Sequence, residues 1–399
     1  MKLNIFYVQT PIGTLATKNK KIYFEYNKAF LKSGIQISPY KLPLKSGLFR
    51  CDDDVFEGLW GMFADSLPDG WGRLLMDRHL VRLGMNLQSI TPLDRLSYIG
   101  SYGMGALRYE PVREVDEPLG EVVLDDLAQS SQAILEGTSE MMLDELLALG
   151  GSSAGARPKV LVQLSLDGTK MIHGRQQLQE GYAHYMVKFS NALDGKESGA
   201  IEYAYALMAK EAGIEMPSIV LLESRHGRYF GCERFDRIGD ERVHMHSVAG
   251  LTHSNFRLPM LDYDDLMALT LDLTKNYQEV HKMFRLACFN LFAHNRDDHA
   301  KNFSFLMDTK GVWRLSPAYD LTFSYGVGAE HSTMYMGEGL HPKVEHLLTL
   351  AKKHGIKKGS VIVEEVRHVV MHWEKWANKA KVSKQAREKI AKTLESIGN

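Results

Sequence analysis

The sequence predicts an α+β fold of two lobes, in which a β-rich region is followed by a mostly helical one. Three observations lead to this prediction. Alternating apolar residues mark short strands as far as residue 235, helical periodicity dominates after Asp240, and a dense polar run over 294–300 separates a helix from a short hairpin. A two-lobe layout of this kind has a cleft between the lobes.

Composition places the chain among ordinary globular proteins. The 399 residues carry a net charge of −1, with 44% hydrophobic and 24% charged residues. A near-neutral surface gives no electrostatic reason for direct binding to nucleic acid. The three cysteines, Cys51, Cys232 and Cys288, lie far apart, which argues against a disulfide framework. Without a signal peptide or an apolar run of membrane-spanning length, we expect a cytoplasmic protein with no membrane contact.

Residues 1–115 form the first predicted domain, a β-rich subdomain. Residues 1–9 and 21–26 alternate as strands, and helical spacing over 56–67 and 71–83 meets at a Pro-Asp-Gly turn. The aromatic residues beside that turn indicate core packing rather than a ligand cage. A further strand ends near residue 111, and the acidic, proline-containing run 111–118 is the first boundary.

The second predicted domain, residues 116–237, opens with two helical patterns over 124–149. A run of small residues, 150–159, then precedes a hairpin of strands over 159–164 and 170–174. Small residues let backbone N–H groups approach phosphate oxygens closely, and Arg157 and Lys159 add positive charge. The run matches no standard phosphate-binding motif, so a flexible link is an equally good interpretation.

The next strand, 183–189, carries Lys188 among mostly apolar neighbours. A desolvated ammonium needs a partner, and enzymes that transfer phosphoryl groups from ATP use a strand lysine to contact the phosphates. A lysine that reaches solvent from an edge strand is the alternative. Glu202, at the start of a helical run, is a candidate partner. A second hairpin ends at 233–237, where we expect a hinge whose backbone groups bind an adenine edge.

The third predicted domain, residues 238–399, is mostly helical. Its helical runs cover 263–273, 277–293, 342–354, 360–377 and 383–397. The last of these is basic, and its lysines indicate a solvated face rather than a DNA-reading helix.

The polar run in this domain carries the strongest chemical signal. Asp297 is followed five places later by Asn302, and a hairpin over 303–315 leads to Asp320. Protein kinases use the same interval, with the aspartate as base, the asparagine as a magnesium ligand, and a second metal-binding acid after a hairpin. The set therefore predicts a protein-kinase-like site for ATP and Mg²⁺.

Each residue of the set also has a simpler interpretation. An Asp-Asp pair in a loop is often a turn or a helix cap, and so is a single Asp320. His294 and His299 are possible metal ligands, although histidines near a helix end are usually satisfied by backbone groups. A zinc site needs further ligands at short spacing, and the sequence has none.

Seven segments spread over nearly the whole chain resemble the HipA family, the serine/threonine-kinase toxins of bacterial toxin–antitoxin modules. These segments are 11–15, 24–26, 67–73, 151–159, 233–237, 298–304 and 315–321. The resemblance implies a two-lobe protein-kinase-like fold with an added N-terminal β-rich subdomain and a mostly helical C-terminal lobe.

Carried over by position, the resemblance makes Asp297 the catalytic base, and Asn302 and Asp320 the Mg²⁺ ligands. The residues that it assigns to ATP binding are Ser152, Ser153, Ala154, Gly155, Lys188, Glu233, Phe235, His299 and Lys301. Family members autophosphorylate a loop serine and eject the loop. We expect Ser152 to be that serine from its place in the motif, two residues ahead of 154–156, with Ser153 as the second choice. The ejection has a physical reason, because a phosphate dianion cannot share the place of the ATP phosphates.

The implied partners are a HipB-like helix-turn-helix antitoxin, which supplies any DNA contact, and a protein substrate. An aminoacyl-tRNA synthetase is one candidate substrate, because some relatives modify one. Where some relatives have Asp-Gly-His, this chain has Asp297-Asp298-His299, so the two aspartates compete for the role of base. A catalytically silent corepressor that binds the antitoxin and a small-molecule kinase remain the alternative functions.

Overall fold

The structure is a computed structural model that describes residues 1–113, 120–153, 155–175, 177–190 and 195–398. Strands and helices pack around two hydrophobic clusters within this part of the chain. None of the described helices is long and apolar enough to cross a membrane. The predicted α+β class is confirmed.

The N-terminal domain is built on an antiparallel sheet. Its strands are β1 Lys2–Tyr7, β2 Thr10–Lys18, β3 Lys21–Tyr26, β4 Leu48–Arg50 and β5 Leu107–Glu110. They lie in the order β4-β3-β2-β1-β5, and β1 buries alternate side chains as a strand with one face on the core should. The accompanying helices are α1 Lys28–Leu31, α2 Gly61–Ala64, α3 Gly70–Arg82 and α4 Pro92–Ile99. The prediction of a helix over 56–67 was too long, because Glu57 and Gly58 have positive φ angles that interrupt it.

A second antiparallel sheet forms the N-lobe. Its elements are α5 Leu124–Glu136, α6 Leu143–Gly150, β6 Lys159–Ser165, β7 Met171–His173, β8 Tyr182–Lys188, α7 Ser198–Glu211, β9 Ile219–Glu223 and β10 Arg228–Glu233. The strand order is β7-β6-β8-β10-β9. Lys159 and Lys188 are directly opposite each other in the β6–β8 pair, so both side chains lie on the same face.

The remaining elements form the C-terminal lobe. They are β11 Arg237–Ile238, β12 Glu241–Arg242, β13 His244–Ser247, α8 Val248–Thr252, β14 Leu261–Asp262, α9 Tyr263–Thr274, α10 Tyr277–Phe292, β15 Ser304–Met307, β16 Trp313–Leu315, β17 Thr333–Met334, α11 Val344–Lys353, α12 Gly359–Met371, α13 Trp373–Lys379 and α14 Lys384–Gly398. The predicted hairpin is present as β15 and β16. Strand β13 pairs with β15 and was not predicted.

Helix α3 links the first two predicted domains. It packs on α6, and Trp71 and Leu75 share a hydrophobic cluster with Val160 and Val187 of the N-lobe sheet. This packing places the turn before α3 beside the start of β6. The boundary predicted near residue 115 falls within 114–119, outside the described residues, and the division into three domains stays a prediction.

Candidate active site

The loop after α10 carries the candidate base and one candidate metal ligand. Helix α10 ends at Phe292, and His294 has a φ of +52°, which turns the chain away from the helix. The Asp297 side chain is 55% exposed. Asn302 donates its Nδ2 amide to the Asp297 carbonyl at 2.7 Å, so its Oδ1 points away from that bond. The loop thus holds the Asn302 side chain against the Asp297 backbone and leaves the Asp297 carboxylate accessible.

The two neighbouring aspartates have different environments. Asp298 is buried, and its carboxylate accepts hydrogen bonds from Tyr263 Oη at 2.9 Å and the Thr333 amide at 3.1 Å. His331 Nδ1 lies 3.1 Å from the same carboxylate. These contacts give Asp298 a structural role. The geometry therefore favours Asp297 as the base, because it is the accessible member of the pair.

Several neighbours act on the ionisation of Asp297. Burial raises the pKa of Asp297, since protein surrounds the half-exposed carboxylate closely, and the charges of Asp320 and Asp298 raise the pKa as well. His299 and Arg157 oppose this rise. A raised pKa brings a carboxylate closer to the range in which a general base works well.

Lys188 lies between two carboxylates from different elements. Its Nζ is 2.5 Å from Glu202 Oε1 on α7 and 2.7 Å from Asp320 Oδ1. Burial alone would lower the pKa of Lys188, but Asp320 and Glu202 outweigh burial and raise it. The pairing of Lys188 with Glu202 agrees with the partner expected from the sequence, and it matches the lysine–glutamate ion pair that protein kinases need. Arg157 Nη1 lies 3.5 Å from the other oxygen of Glu202.

Asp320 follows β16 and has a φ of +57°, in the left-handed region that few residues other than glycine adopt. Such backbone strain is concentrated at functional sites. Burial would raise the pKa of Asp320, but Lys188, Lys159 and Arg157 lower it, so the carboxylate stays ionised. An ionised oxygen donor is what a magnesium site requires.

The small-residue loop lies against these charged groups. Ser152 and Ser153 are buried, and Ser153 Oγ donates to the Gly150 carbonyl at 2.6 Å. Ala154 lies outside the described residues. Gly155 has a φ of +93°, and a Cβ there would be 2.5 Å from Lys159 Nζ, so a side chain would strain the backbone and displace the lysine. The described residues on either side of Ala154 are therefore closely fitted, which argues against a flexible link.

Lys159 is a second cation on the face of the sheet that carries Lys188. This face, the loop at Asp297 and the Asp320 carboxylate bound the region between the lobes that we call the cleft. Burial, together with the neighbouring Lys188 ammonium, lowers the pKa of Lys159 to about 8. The sequence indicated Lys159 only as added charge beside the loop. Its place opposite Lys188 depends on strand register, which the sequence alone does not give.

The predicted hinge begins where β10 ends. The Glu233 and Arg234 amides donate to the carbonyls of Ser218 and His184 at 2.8 Å, whereas the Phe235 amide makes no hydrogen bond with the described residues. The Phe235 amide is therefore an available donor, and its contact with an adenine edge stays a prediction.

The charged residues of the hinge motif have a structural role that the sequence did not reveal. Asp236 is buried, and it accepts two hydrogen bonds from Arg234, one from Arg237 and one from the Gly105 amide. Burial would raise the pKa of Asp236, but the two guanidinium groups lower it. This network attaches the hinge to the N-terminal domain.

His299 and Lys301, the remaining predicted ATP-binding residues, lie near Phe256. The His299 Nδ1 atom is buried and makes no hydrogen bond with the described residues, and its ring centroid is 5.7 Å from that of Phe256. Lys301 pairs with Asp69 of the N-terminal domain, and Asp69 also accepts a hydrogen bond from the Gly155 amide. Sequence reasoning missed Asp69, because its Pro-Asp-Gly context signals only a turn.

These donors fit a magnesium nucleotide. Lys188, Lys159 and the Gly155 region would supply positive charge and close backbone approach for phosphates, while Asp320 and Asn302 would supply oxygen ligands for the metal. The described residues contain no cluster of three or more His, Cys, Asp or Glu side chains that could hold a metal alone. A site in which Mg²⁺ has few protein ligands and relies on phosphates agrees with the usual preference of that ion.

Two family models match the chain. The HipA-like C-terminal domain covers residues 151–397, and the HipA N-terminal domain covers residues 3–110. The chain belongs to the HipA family. The predicted family is therefore confirmed, and the first match includes every charged residue of the site described above except Asp69.

Two further comparisons place this HipA-family chain among known proteins. Over 99% of its length it superimposes on 95% of the HipA chain in the Shewanella oneidensis MR-1 complex of HipA, HipB and operator DNA, with a TM-score of 0.70 and 17% identity. At that identity the likeness shows the fold. A protein of Sinorhizobium fredii named "Putative kinase Y4dM" is 27% identical over 142 residues, which is 31% of this chain and 34% of that protein. The match thus spans about a third of that relative's length.

Proposed function

We propose that this protein is an ATP- and Mg²⁺-dependent serine/threonine protein kinase that acts as the toxin of a HipA/HipB-like module. The observation that carries the proposal is the position of Lys188, which bridges Glu202 and Asp320. Protein kinases depend on a strand lysine paired with a helix glutamate and on a nearby aspartate that binds Mg²⁺, and Lys188 brings candidates for both carboxylates together.

Each residue then has a defined task. Lys188 and Lys159 hold the ATP phosphates, the Phe235 amide holds the adenine, and Asn302 and Asp320 hold Mg²⁺. The metal, when bound, neutralises charge on the phosphates. Asp297 accepts the proton of the substrate hydroxyl. The hydroxyl oxygen then bonds to the γ-phosphorus, the bond from that phosphorus to the bridging oxygen breaks, and ADP leaves with the electron pair.

We also propose that Ser152 is the autophosphorylated residue of the loop. Its side chain lines a cavity of about 200 Å³ beside Leu161, His184 and Arg234. The Ser153 hydroxyl is instead fully buried and bonded to the Gly150 carbonyl. Both serines are buried, so the loop must leave its place before either one receives a phosphate.

The proposed partner is a HipB-like helix-turn-helix antitoxin, through which the complex contacts DNA, and the proposed location is the cytoplasm. The structural likeness to a HipA chain bound to HipB and operator DNA supports this partner, as does the net charge of −1. The proposed substrate is a protein, with an aminoacyl-tRNA synthetase as the first candidate to test.

Incubation of the purified protein with γ-labelled ATP and Mg²⁺ tests the kinase proposal. We expect label on the wild type, at least about a hundredfold less on Asp297→Asn and Asp320→Asn, and wild-type labelling of the exposed-helix control Glu395→Gln. Equal label on all four proteins would refute the assignment. No label on any of them would favour the silent corepressor, whereas transfer only to small amines or alcohols would favour a small-molecule kinase.

A further inference from the structure

One carboxylate of the N-terminal domain, that of Asp69, contacts both walls of the cleft. Asp69 is the N-cap residue of α3, where an aspartate usually accepts hydrogen bonds from the first turn of its own helix. No such bond is present here. Instead, Asp69 Oδ1 accepts a hydrogen bond from the Gly155 amide of the small-residue loop, and Asp69 Oδ2 pairs with the Lys301 ammonium beside Asn302. These partners are 86 and 232 residues away in sequence.

The rest of the turn is also fitted to the loop backbone. The Trp71 amide donates to the Gly155 carbonyl at 2.9 Å, and its indole Nε1 donates to the Lys159 carbonyl at 3.2 Å. A Cβ on Gly70 would lie 2.5 Å from the Gly155 oxygen, and one on Gly72 would lie 2.6 Å from the Ser153 oxygen. The turn therefore touches the loop so closely that the loop cannot move without breaking these contacts.

The charge on Asp69 is maintained by its partners. Burial would raise the pKa of Asp69, but Lys301, the Gly155 amide and Lys159 lower it. On its other side the Lys301 ammonium lies 4.2 Å from the centroid of the Phe256 ring. The ammonium is thus held between a carboxylate and an aromatic face, in one defined position.

We propose that Asp69 is a positioning residue of the nucleotide site. It holds the loop closed at Gly155 and keeps the Lys301 ammonium at the cleft, so the N-terminal domain determines how readily the site forms. The effect on nucleotide rests on the proposed kinase function, whereas the effect on the loop does not. Since Ser152 and Ser153 are buried while the loop is closed, Asp69 also opposes their modification.

Hydrogen exchange of the full-length protein, measured by mass spectrometry on the peptide that covers 150–157, tests the effect on the loop. Asp69→Ala removes both contacts, whereas Asp69→Asn keeps an acceptor for the Gly155 amide and loses the ion pair. We expect exchange at least about tenfold faster in Asp69→Ala and an intermediate rate in Asp69→Asn. Asp52→Ala is the matched control, because Asp52 lies in the same domain and forms an ion pair with Arg50 in which both side chains are more than half exposed.

Calorimetry with a non-hydrolysable ATP analogue and Mg²⁺, together with steady-state kinetics, tests the effect on nucleotide. We expect Asp69→Ala to lower the affinity for the ATP analogue and to raise the KM for ATP, each about tenfold, with kcat within about twofold of wild type. Unchanged loop exchange in folded Asp69→Ala overturns the proposal, and so does faster exchange with unchanged affinity and KM. If Asp69→Ala does not fold, the same comparisons apply to Asp69→Asn. A wild type that binds no analogue would refute the kinase function instead, and the exchange rates alone would then decide whether Asp69 holds the loop.

Discussion

The neighbours Asp297 and Asp298 should respond in opposite ways to the same substitution. The Tyr263 hydroxyl oxygen accepts a hydrogen bond from Asn290, so its proton points to the Asp298 carboxylate. The hydroxyl therefore cannot rotate to accept a hydrogen bond from an amide at position 298. Asp298→Asn therefore places the side-chain NH₂ group against either the Tyr263 hydroxyl or the Thr333 backbone N–H, so two hydrogen-bond donors face each other. A hydrogen bond to a charged group contributes about 1.5–3 kcal/mol, so we expect the free energy of unfolding to fall by about 3–5 kcal/mol.

Asp297→Asn should leave stability within about 0.5 kcal/mol of wild type, because the half-exposed carboxylate accepts no hydrogen bond from the described residues. Its phosphotransfer rate should fall at least about a hundredfold, since an amide cannot accept the hydroxyl proton. Urea unfolding followed by tryptophan fluorescence gives the stabilities, and transfer from labelled ATP gives the rates. A stable but inactive Asp298→Asn beside an active Asp297→Asn would refute this reasoning and assign the base to Asp298.

Three further predictions concern the charged groups around the cleft. Lys188→Met should abolish phosphotransfer and lower the free energy of unfolding by about 3 kcal/mol at pH 8, because Glu202 and Asp320 lose their buried cation. The loss of stability should be smaller at pH 5, where the two carboxylates can protonate. Urea unfolding at both pH values measures this difference. Asp236→Asn should cost about 3–5 kcal/mol, because it leaves two buried guanidinium groups without a counter-charge, and an unchanged midpoint of unfolding would contradict this. Burial and the Lys188 ammonium lower the pKa of Lys159 to about 8, and a bound triphosphate would raise that pKa. The affinity for a non-hydrolysable ATP analogue should therefore be highest below pH 8, where Lys159 is protonated, and fall as the pH rises above 8. Lys159→Arg should flatten that profile in calorimetry at pH 7 and pH 9.

The sequence predicts the parts of the site that short stretches of chain determine. Asp297 and Asn302 lie in one loop, and Asp320 follows the next hairpin. Because only a short loop and a hairpin separate them, residues close in the sequence are also expected to be close in the structure. Lys188 is recognisable because an ammonium in an apolar strand needs a partner, and Glu202 on the next helix provides one. The elements were predictable for the same reason, since strand alternation and helical spacing are properties of short segments.

Features that depend on contacts between distant segments could not be predicted in the same way. Asp69 lies in a Pro-Asp-Gly turn, and only the packing of α3 on α6 brings its carboxylate to Gly155 and Lys301. Asp236 lies in a motif that indicates a hinge, yet its side chain binds the N-terminal domain. Strand β13 is four residues long and pairs with a strand about 60 positions later, so it has no local signature.

The ion pairs of the cleft join residues from the whole chain into the candidate active site. Lys188 on β8 pairs with Glu202 on α7 and with Asp320 after β16, and all three residues lie within 151–397. Lys301 and the loop at Gly155 are instead held by Asp69, from the N-terminal domain. A chain without its first 110 residues would keep the first set of pairs and lose the second. Lys188 would then keep both of its partners, while the loop at Gly155 would lose its contacts with Asp69 and Trp71, so the N-terminal domain is a structural part of the candidate active site.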